Sequence, residues 1–483
     1  MHPASDFSRQ TDMLDPSQGI RAMKLNEYGE WAKKIADWSV EYLSTLRNRP
    51  VRAQTKPGDI LKQLAETPPE NAESMDAIFD DFQRIVPDGM THWQHPRFFA
   101  YFPANASPPS MLAEQITATM AAQCMLWQTS PAATEMETRM VDWMRQALGL
   151  SDGFSGTIHD TASTATLAAI LTMRERALDW RGITSGVASE KPVRIYASAQ
   201  THSSIDKAVW VTGIGQDNLV KIDTDDSYAM CPSALRKAIT EDRAAGYLPA
   251  GIIMCIGGTS IGASDNLSEI IDIAKAENLY THVDAAWAGS AMICPELRDV
   301  WLGVEEADSI VFNPHKWLGA QFDCSIQFLR DPAPQIRSLG LRPTYLETLG
   351  EDDILNYNEW TVPLGRKFRA LKLWFLIRSY GLEGLRTRIR NHIKWAKEAE
   401  HAIAALPGFI ITTSCHFSLF TFRLKDDQRT QDLLERINRD GRTYLTQTSH
   451  EGQFVIRFQV GQFDCTREDV MAATDIIRQL SDA

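Results

Sequence analysis

Apolar residues early in the chain recur at three- and four-residue intervals: Tyr28, Trp31, Ile35, Trp38, Tyr42 and Leu46 lie along one face of a long predicted helix. That face is rich in aromatics and demands a partner surface. The proline- and charge-bearing stretches RNRPVRAQTKPGD and ETPPENAES follow, so this part of the chain is not expected to form a core of its own. From about residue 140 to 330 the pattern changes to strand–helix alternation. RIYAS (194–198), LVKID (219–223), GIIMCI (251–256), YTHVD (280–284) and SIVFN (309–313) read as strands, with SSIDKAVWV and NLSEIIDIAKAEN as helices between them. Continuous apolar strands joined by helices predict a mostly parallel sheet covered on both faces, with ligands bound beyond the carboxyl ends of its strands. After about residue 400, FSLFTFRL, TQDLLERINRDG, QFVIRFQVG and REDVMAATDIIRQL predict a smaller α+β lobe.

Composition changes this picture little. The 483 residues carry a net charge of −13, with 44% hydrophobic and 23% charged residues, an ordinary globular balance that argues against nucleic acid or an anionic membrane as partner. The uncharged run from Gln115 to Thr134 holds Gln115, Thr117, Thr119, Gln123, Gln128, Ser130 and Pro131, too polar for lipid, and reads as buried helix plus loop. Seven scattered cysteines without a C-x-x-C pair, and an N-terminus without an apolar leader, predict a reduced, cytoplasmic protein. His92 and His95 form an H-x-x-H in a loop without further ligands, so no metal is expected.

Four features then fall at strand ends. Lys316, in FNPHKWLG, follows an apolar strand; a lysine in apolar surroundings tends to lose its proton and form a Schiff base with a carbonyl. Asp284, in HVDAAWAG, either caps the next segment or faces a cationic ring nitrogen, with small residues beside it that admit a flat ring. His202, in THSS, is either structural or a flat group stacked on that ring. Thr161, Ala162 and Ser163, in HDTASTATLAAI, open a helix; such an N-terminus is a cap and also a phosphate cradle. Together these four point to pyridoxal 5'-phosphate.

The segments HPRFFAYFPANASPPSMLAE, SPAATEMETRMVDWM, THSSIDKA, HVDAAWAGSAMICPE, FNPHKWLGAQFDCS, LRPTYL and WTVPLGRKFRALKLWF resemble the group II pyridoxal-phosphate-dependent decarboxylases, and among them the aromatic-L-amino-acid decarboxylases, from about Met23 to the C-terminus. The resemblance implies the aspartate aminotransferase-like α/β fold (fold type I). Its parts would be a flexible extension (1–22), an N-terminal helical dimerisation segment (23–100), a large cofactor-binding domain (101–395) and a small C-terminal domain (396–483). It implies a homodimer with active sites at the interface, an amino-acid substrate, and loss of CO2 to give the amine. Residue by residue, Lys316 resembles the Schiff-base lysine, Asp284 the partner of the pyridinium nitrogen, Ala286 the residue on one ring face and His202 the ring stacked on the other. Thr161, Ala162, Ser163, Asn313 and His315 resemble the phosphate ligands, and Thr259 the threonine near the cofactor. Tyr345, in RPTYL, resembles the tyrosine that returns a proton to the substrate carbon; relatives with phenylalanine there tend to yield aldehydes. Trp93, Tyr101, Phe102 and Pro103 resemble the wall of the side-chain pocket, and Gly365 a position where relatives acting on histidine tend to carry serine. Arg457 resembles an arginine near the site, without an assigned role.

The cradle departs from the family pattern in three places. His159 and Asp160 stand where small residues are usual, and Thr164 stands at a common glutamate. An aspartate beside a phosphate is electrostatically unhelpful, so Asp160 is expected to point away. Three alternatives stay open: an aromatic aldehyde synthase, a decarboxylase of a non-aromatic or aminobenzoate-like acid, and a non-catalytic paralogue that binds partners through its aromatic helix.

Overall fold

The structure is a computed structural model that describes residues 23–188, 190–341 and 354–481. Strands Ser155–His159 (β1), Val193–Ser198 (β2), Leu219–Ile222 (β3), Leu248–Cys255 (β4), Tyr280–Asp284 (β5), Ser309–Phe312 (β6) and Ser325–Leu329 (β7) form one seven-stranded sheet in the order β1-β7-β6-β5-β4-β2-β3. Only β7 runs against its neighbours; the other strands share one direction. Both faces are buried, as the apolar runs predict. Along β2 and β4, Ile195, Ala197 and Ile253 enter one core cluster, whereas Tyr196, Ile252 and Met254 enter another. The helices Ala162–Ala177, Ser204–Val211, Pro232–Ala244 and Leu267–Ala276 lie along the crossovers between strands. The carboxyl ends of β1, β2, β4, β5 and β6 therefore meet at one edge of the sheet.

A second sheet of four antiparallel strands, Ile410–His416 (β8), Leu419–Arg423 (β9), Thr446–His450 (β10) and Gln453–Gln459 (β11), has the order β10-β11-β9-β8. Its core gathers Phe420, Phe422 and Phe458 with Leu433, Ile437, Val470 and Ile477 of the helices Asp427–Asp440 and Arg467–Ser481. The long helix Arg369–Ala404 is interrupted at Gly381, which sits at φ 62°. Its distal half supplies Ala396, Ala399 and Ile403 to the small lobe's core.

The chain divides between Arg49 and Pro50 into two compact units. In the first, the helix Leu25–Thr45 forms as its periodicity predicts, yet none of its residues is buried. Residues 50–107 belong to the second unit, because their backbone is tied into it: Val51 N–H donates to Gly441 O (2.8 Å), Phe99 N–H to Tyr444 O (3.0 Å) and Asn105 N–H to His315 O (3.0 Å). Strands β1, β7, β8 and β10 lie outside the sequence prediction. Three are sheet edges, and SGTIH, SIQFL, IITTSCH and TQTSH carry polar residues that blur the apolar signal.

Candidate active site

The lysine turn comes first. After β6 the chain makes one turn, Pro314–Leu318, which ends at Gly319 with φ 102°. Only glycine fits there: a Cβ would also run into the Phe463 ring. Buried Asn105 donates to Lys316 O (2.7 Å) and to Gly461 O (3.0 Å) and accepts Phe463 N–H (2.9 Å). Arg388 donates to Trp317 O (3.0 Å) and Leu318 O, with its guanidinium on the Phe463 ring. Beneath, Trp287 stacks between Phe102 (4.5 Å) and Trp317 (5.1 Å). Lys316 Nζ thus stands 5.2 Å from the Phe102 ring on a rigid floor. Burial pulls its pKa below the ordinary lysine value; the Asp284 carboxylate opposes this and the Arg457 guanidinium adds to it.

Lys316 is part of a cavity of about 220 Å³ that also receives Thr161, Ala162, Ser163, His202, Thr259, Asp284, Ala286, Asn313 and His315. Every residue expected to hold the cofactor therefore meets at one place, contributed by five strand ends. Asp284, the last residue of β5, is buried and accepts Ala286 N–H (3.0 Å). His202 Nδ1 accepts Ser204 N–H (3.1 Å) and meets Ser204 Oγ at 2.8 Å, so the neutral ring carries its proton on Nε2. Burial lowers its pKa, Asp284 works against this, and Lys316 reinforces it. Gly257 and Gly258 pass close to the site's walls, where a Cβ would meet Ala288 and the Gln200 carbonyl.

At the helix N-terminus, Thr161 caps Ala162–Ala177 with extended backbone but without a side-chain cap. The first-turn N–H groups and the Thr161 and Ser163 hydroxyls are thereby left for a ligand. Opposite them, Asn313 Oδ1 accepts from Ser325 Oγ (2.6 Å), and His315 Nδ1 accepts Cys324 N–H (2.9 Å), which leaves Nε2 as a donor. Burial, with Lys316 adding, pushes the His315 pKa down to about 3, so this donor is neutral. Donors at one end, a carboxylate at the other, a lysine between and small residues along the side fit a phosphorylated pyridine aldehyde.

A second, larger cavity of about 590 Å³ adjoins the first and shares Phe102, His202, Thr259, His315, Lys316 and Phe322 with it. Trp93, Tyr101, Phe102 and Pro103 line it, together with Ala104, Phe322 and Arg457. Sequence reasoning missed Phe322, which meets His315 edge-on at 4.8 Å; an aromatic six residues past the lysine was its only signal. It also left Arg457 without a role. Arg457, on β11, donates to Thr259 O (2.8 Å) and Ser260 O (2.9 Å), tying the small lobe to the loop after β4. Burial lowers its pKa to about 10, so it stays cationic at neutral pH.

Gly365 lies elsewhere, in a cavity of about 230 Å³ with His159, Asp160, Arg366 and Arg369. Asp160 faces that cavity and not the cofactor cavity. Tyr345 lies outside the described residues.

Residues 57–425 match the pyridoxal-dependent decarboxylase conserved domain. The chain is 38% identical to an aromatic-L-amino-acid decarboxylase of Cavia porcellus over 95% of this chain and 98% of that one. It is 37% identical to a phenylacetaldehyde synthase of Arabidopsis thaliana over 95% and 97%. Among solved structures, it is similar to the Oryza sativa TDC with PLP and tryptamine, with a TM-score of 0.92 and 32% identity over 96% of this chain and 99% of that one. With the Lys316 turn, the Asp284 carboxylate and the donor-rich helix end converging on one cavity, the chain belongs to the pyridoxal-dependent decarboxylase family and is a carboxy-lyase that uses pyridoxal 5'-phosphate.

Proposed function

We propose that this protein decarboxylates an aromatic L-amino acid, of the phenylalanine, tyrosine, DOPA or tryptophan class, to the amine and CO2. The observation that carries this reading is the aromatic-walled cavity of Trp93, Tyr101, Phe102 and Phe322 opening onto Lys316. Such a surface favours a planar apolar side chain. When bound, pyridoxal phosphate supplies a ring that accepts the electron pair left behind by CO2.

The chain's own residues do the rest. Lys316 would hold the cofactor's carbonyl carbon through its Nζ. Asp284 keeps the ring nitrogen protonated, which makes the ring electron-poor. His202 and Ala286, which line the same cavity, would hold the ring between them. Thr161, Ala162, Ser163, Asn313 and His315 hold the phosphate, while Thr259 is held in place through its carbonyl by Arg457. Tyr345 returns the proton to the substrate carbon.

We place the working protein in the cytoplasm as a homodimer. The aromatic-rich face that recurs from Tyr28 to Leu46 supports a second copy as its partner. Gly365, outside the aromatic cavity of its own chain, bears on the substrate only across that interface. The domain limits that follow are the extension 1–22, the dimerisation segment 23–100, the large domain 101–395 and the small domain 396–483.

A panel of phenylalanine, tyrosine, DOPA, tryptophan, 5-hydroxytryptophan and histidine, read by CO2 release and by product, tests the proposal. Amine with CO2 from an aromatic acid is the expected result. Aldehyde with ammonia and peroxide would instead assign the aldehyde-synthase chemistry, a reading kept in view by the Arabidopsis relative. Turnover of aliphatic or acidic substrates alone would overturn the substrate class.

A further inference from the structure

The departures at Asp160 and Thr164 form one arrangement. In a capping box, the N-cap hydroxyl takes the N–H of the third helical residue, and a Glu or Gln at that position reaches back to the N-cap N–H. Here Thr161 is the N-cap and Thr164 the third helical residue, too short to reach back. Asp160 makes the missing bond from the other side: its Oδ1 accepts Thr161 N–H (2.6 Å) and also the Thr164 hydroxyl. The Thr164 hydroxyl further meets Thr161 O (2.8 Å). The Thr161 hydroxyl caps nothing, so it stays available beside the free first-turn N–H groups.

The charge of Asp160 is directed elsewhere. Asp160 lines the same cavity as Arg366 and Arg369. Against the cost of burial, the Asp323 carboxylate and, further off, that of Asp160 hold the Arg369 pKa above its usual value. Arg366 Nη1 is buried without a hydrogen-bond partner.

We propose that Asp160 is a positioning residue that replaces the capping carboxylate from outside the helix, with Thr164 as its second anchor. The pair orients Thr161 and the first turn toward the cofactor phosphate, while Asp160 faces the cavity it shares with Arg366 and Arg369. This rests on assigning the phosphate to Thr161, Ala162 and Ser163.

Apoenzyme titrated with pyridoxal phosphate and, separately, with pyridoxal, read by absorbance of the Lys316–cofactor linkage, tests the proposal without turnover. Loss of one cap interaction sets the expected scale, so Asp160→Ala weakens pyridoxal phosphate binding by about five-fold and leaves pyridoxal unchanged. Asp160→Asn, which keeps the acceptor, binds within about two-fold of the parent protein. Thr164→Glu alone weakens binding, because two carboxylates then compete for one N–H. Asp160→Ala/Thr164→Glu restores it by rebuilding the ordinary box. Unchanged or tighter binding by Asp160→Ala, or a double variant no better than that single one, overturns the proposal. Ser163→Ala checks the assignment beneath it: if that variant leaves the preference for pyridoxal phosphate over pyridoxal intact, the cradle itself is misassigned.

Discussion

Lys316 acts through a conflict between burial and charge. Its ammonium is disfavoured by the apolar floor of Phe102, Trp287 and Trp317, and a deprotonated amine is the form that attacks a carbonyl. Lys316→Ala is expected to lower turnover by at least about a thousand-fold and to abolish the absorbance of the lysine–cofactor linkage; measurable activity like that of the parent protein would sink the assignment. At Tyr345 the expected change is in kind. If Tyr345 has the proposed role, Tyr345→Phe is expected to shift product from amine toward aldehyde, measured by chromatography of the products alongside peroxide release. An unchanged amine yield would count against that role.

At the scale of elements, backbone tethers place the lysine. Asn105, Arg388 and Gly319 secure the turn that carries it. Gly319→Ala combines an unfavourable φ with a collision against Phe463. It is expected to cost more than about 1 kcal/mol in a urea titration and to weaken cofactor binding. A second tether holds the segment that bears Gly365. Arg366 Nη2 meets buried Glu137 at 2.6 Å and donates to Ile158 O (2.7 Å), while Glu137 accepts Ile158 N–H (2.8 Å). Arg366→Met strands the Glu137 carboxylate in the interior, at an expected cost of about 3–5 kcal/mol by denaturant unfolding. Adding Glu137→Gln should recover part of that loss, since the orphaned charge is then gone.

Across the whole molecule, buried histidines contribute to the response to acid. Burial holds His159 at about 3 and His282 at about 4; His159 bonds Gln327 (2.8 Å), and His282 bonds Ser309 (2.9 Å) and Thr166 (3.1 Å). Both fold as neutral rings, whereas the unfolded chain takes up a proton near pH 6.5. Their contribution is therefore complete above that pH and falls as the pH drops toward 4. The decline is about 1.4 kcal/mol per pH unit for each histidine. Urea midpoints at pH 7 and pH 5 should show it, and His282→Gln should flatten the slope.

The chemistry was legible in the residues because it depends on identity and order. NPHKW, HVDAA and THSS carry side chains whose chemistry follows from type, and the apolar runs before them fix the strand ends where they stand. The parallel sheet was legible for the same reason, since an uninterrupted apolar strand needs cover on both faces. Where polar residues interrupt the period, as in the edge strands β1, β8 and β10, the signal was lost. Contacts between distant segments left no local pattern at all. Only the tertiary structure brings Arg457 to the Thr259 loop, Asn105 to the lysine turn and Phe322 to His315, and only it separates Gly365 from the aromatic cavity of its own chain. The sequence by itself determined the cofactor chemistry and the layered fold, through residue identity and periodicity. The walls of the aromatic cavity were decided by packing between segments hundreds of residues apart.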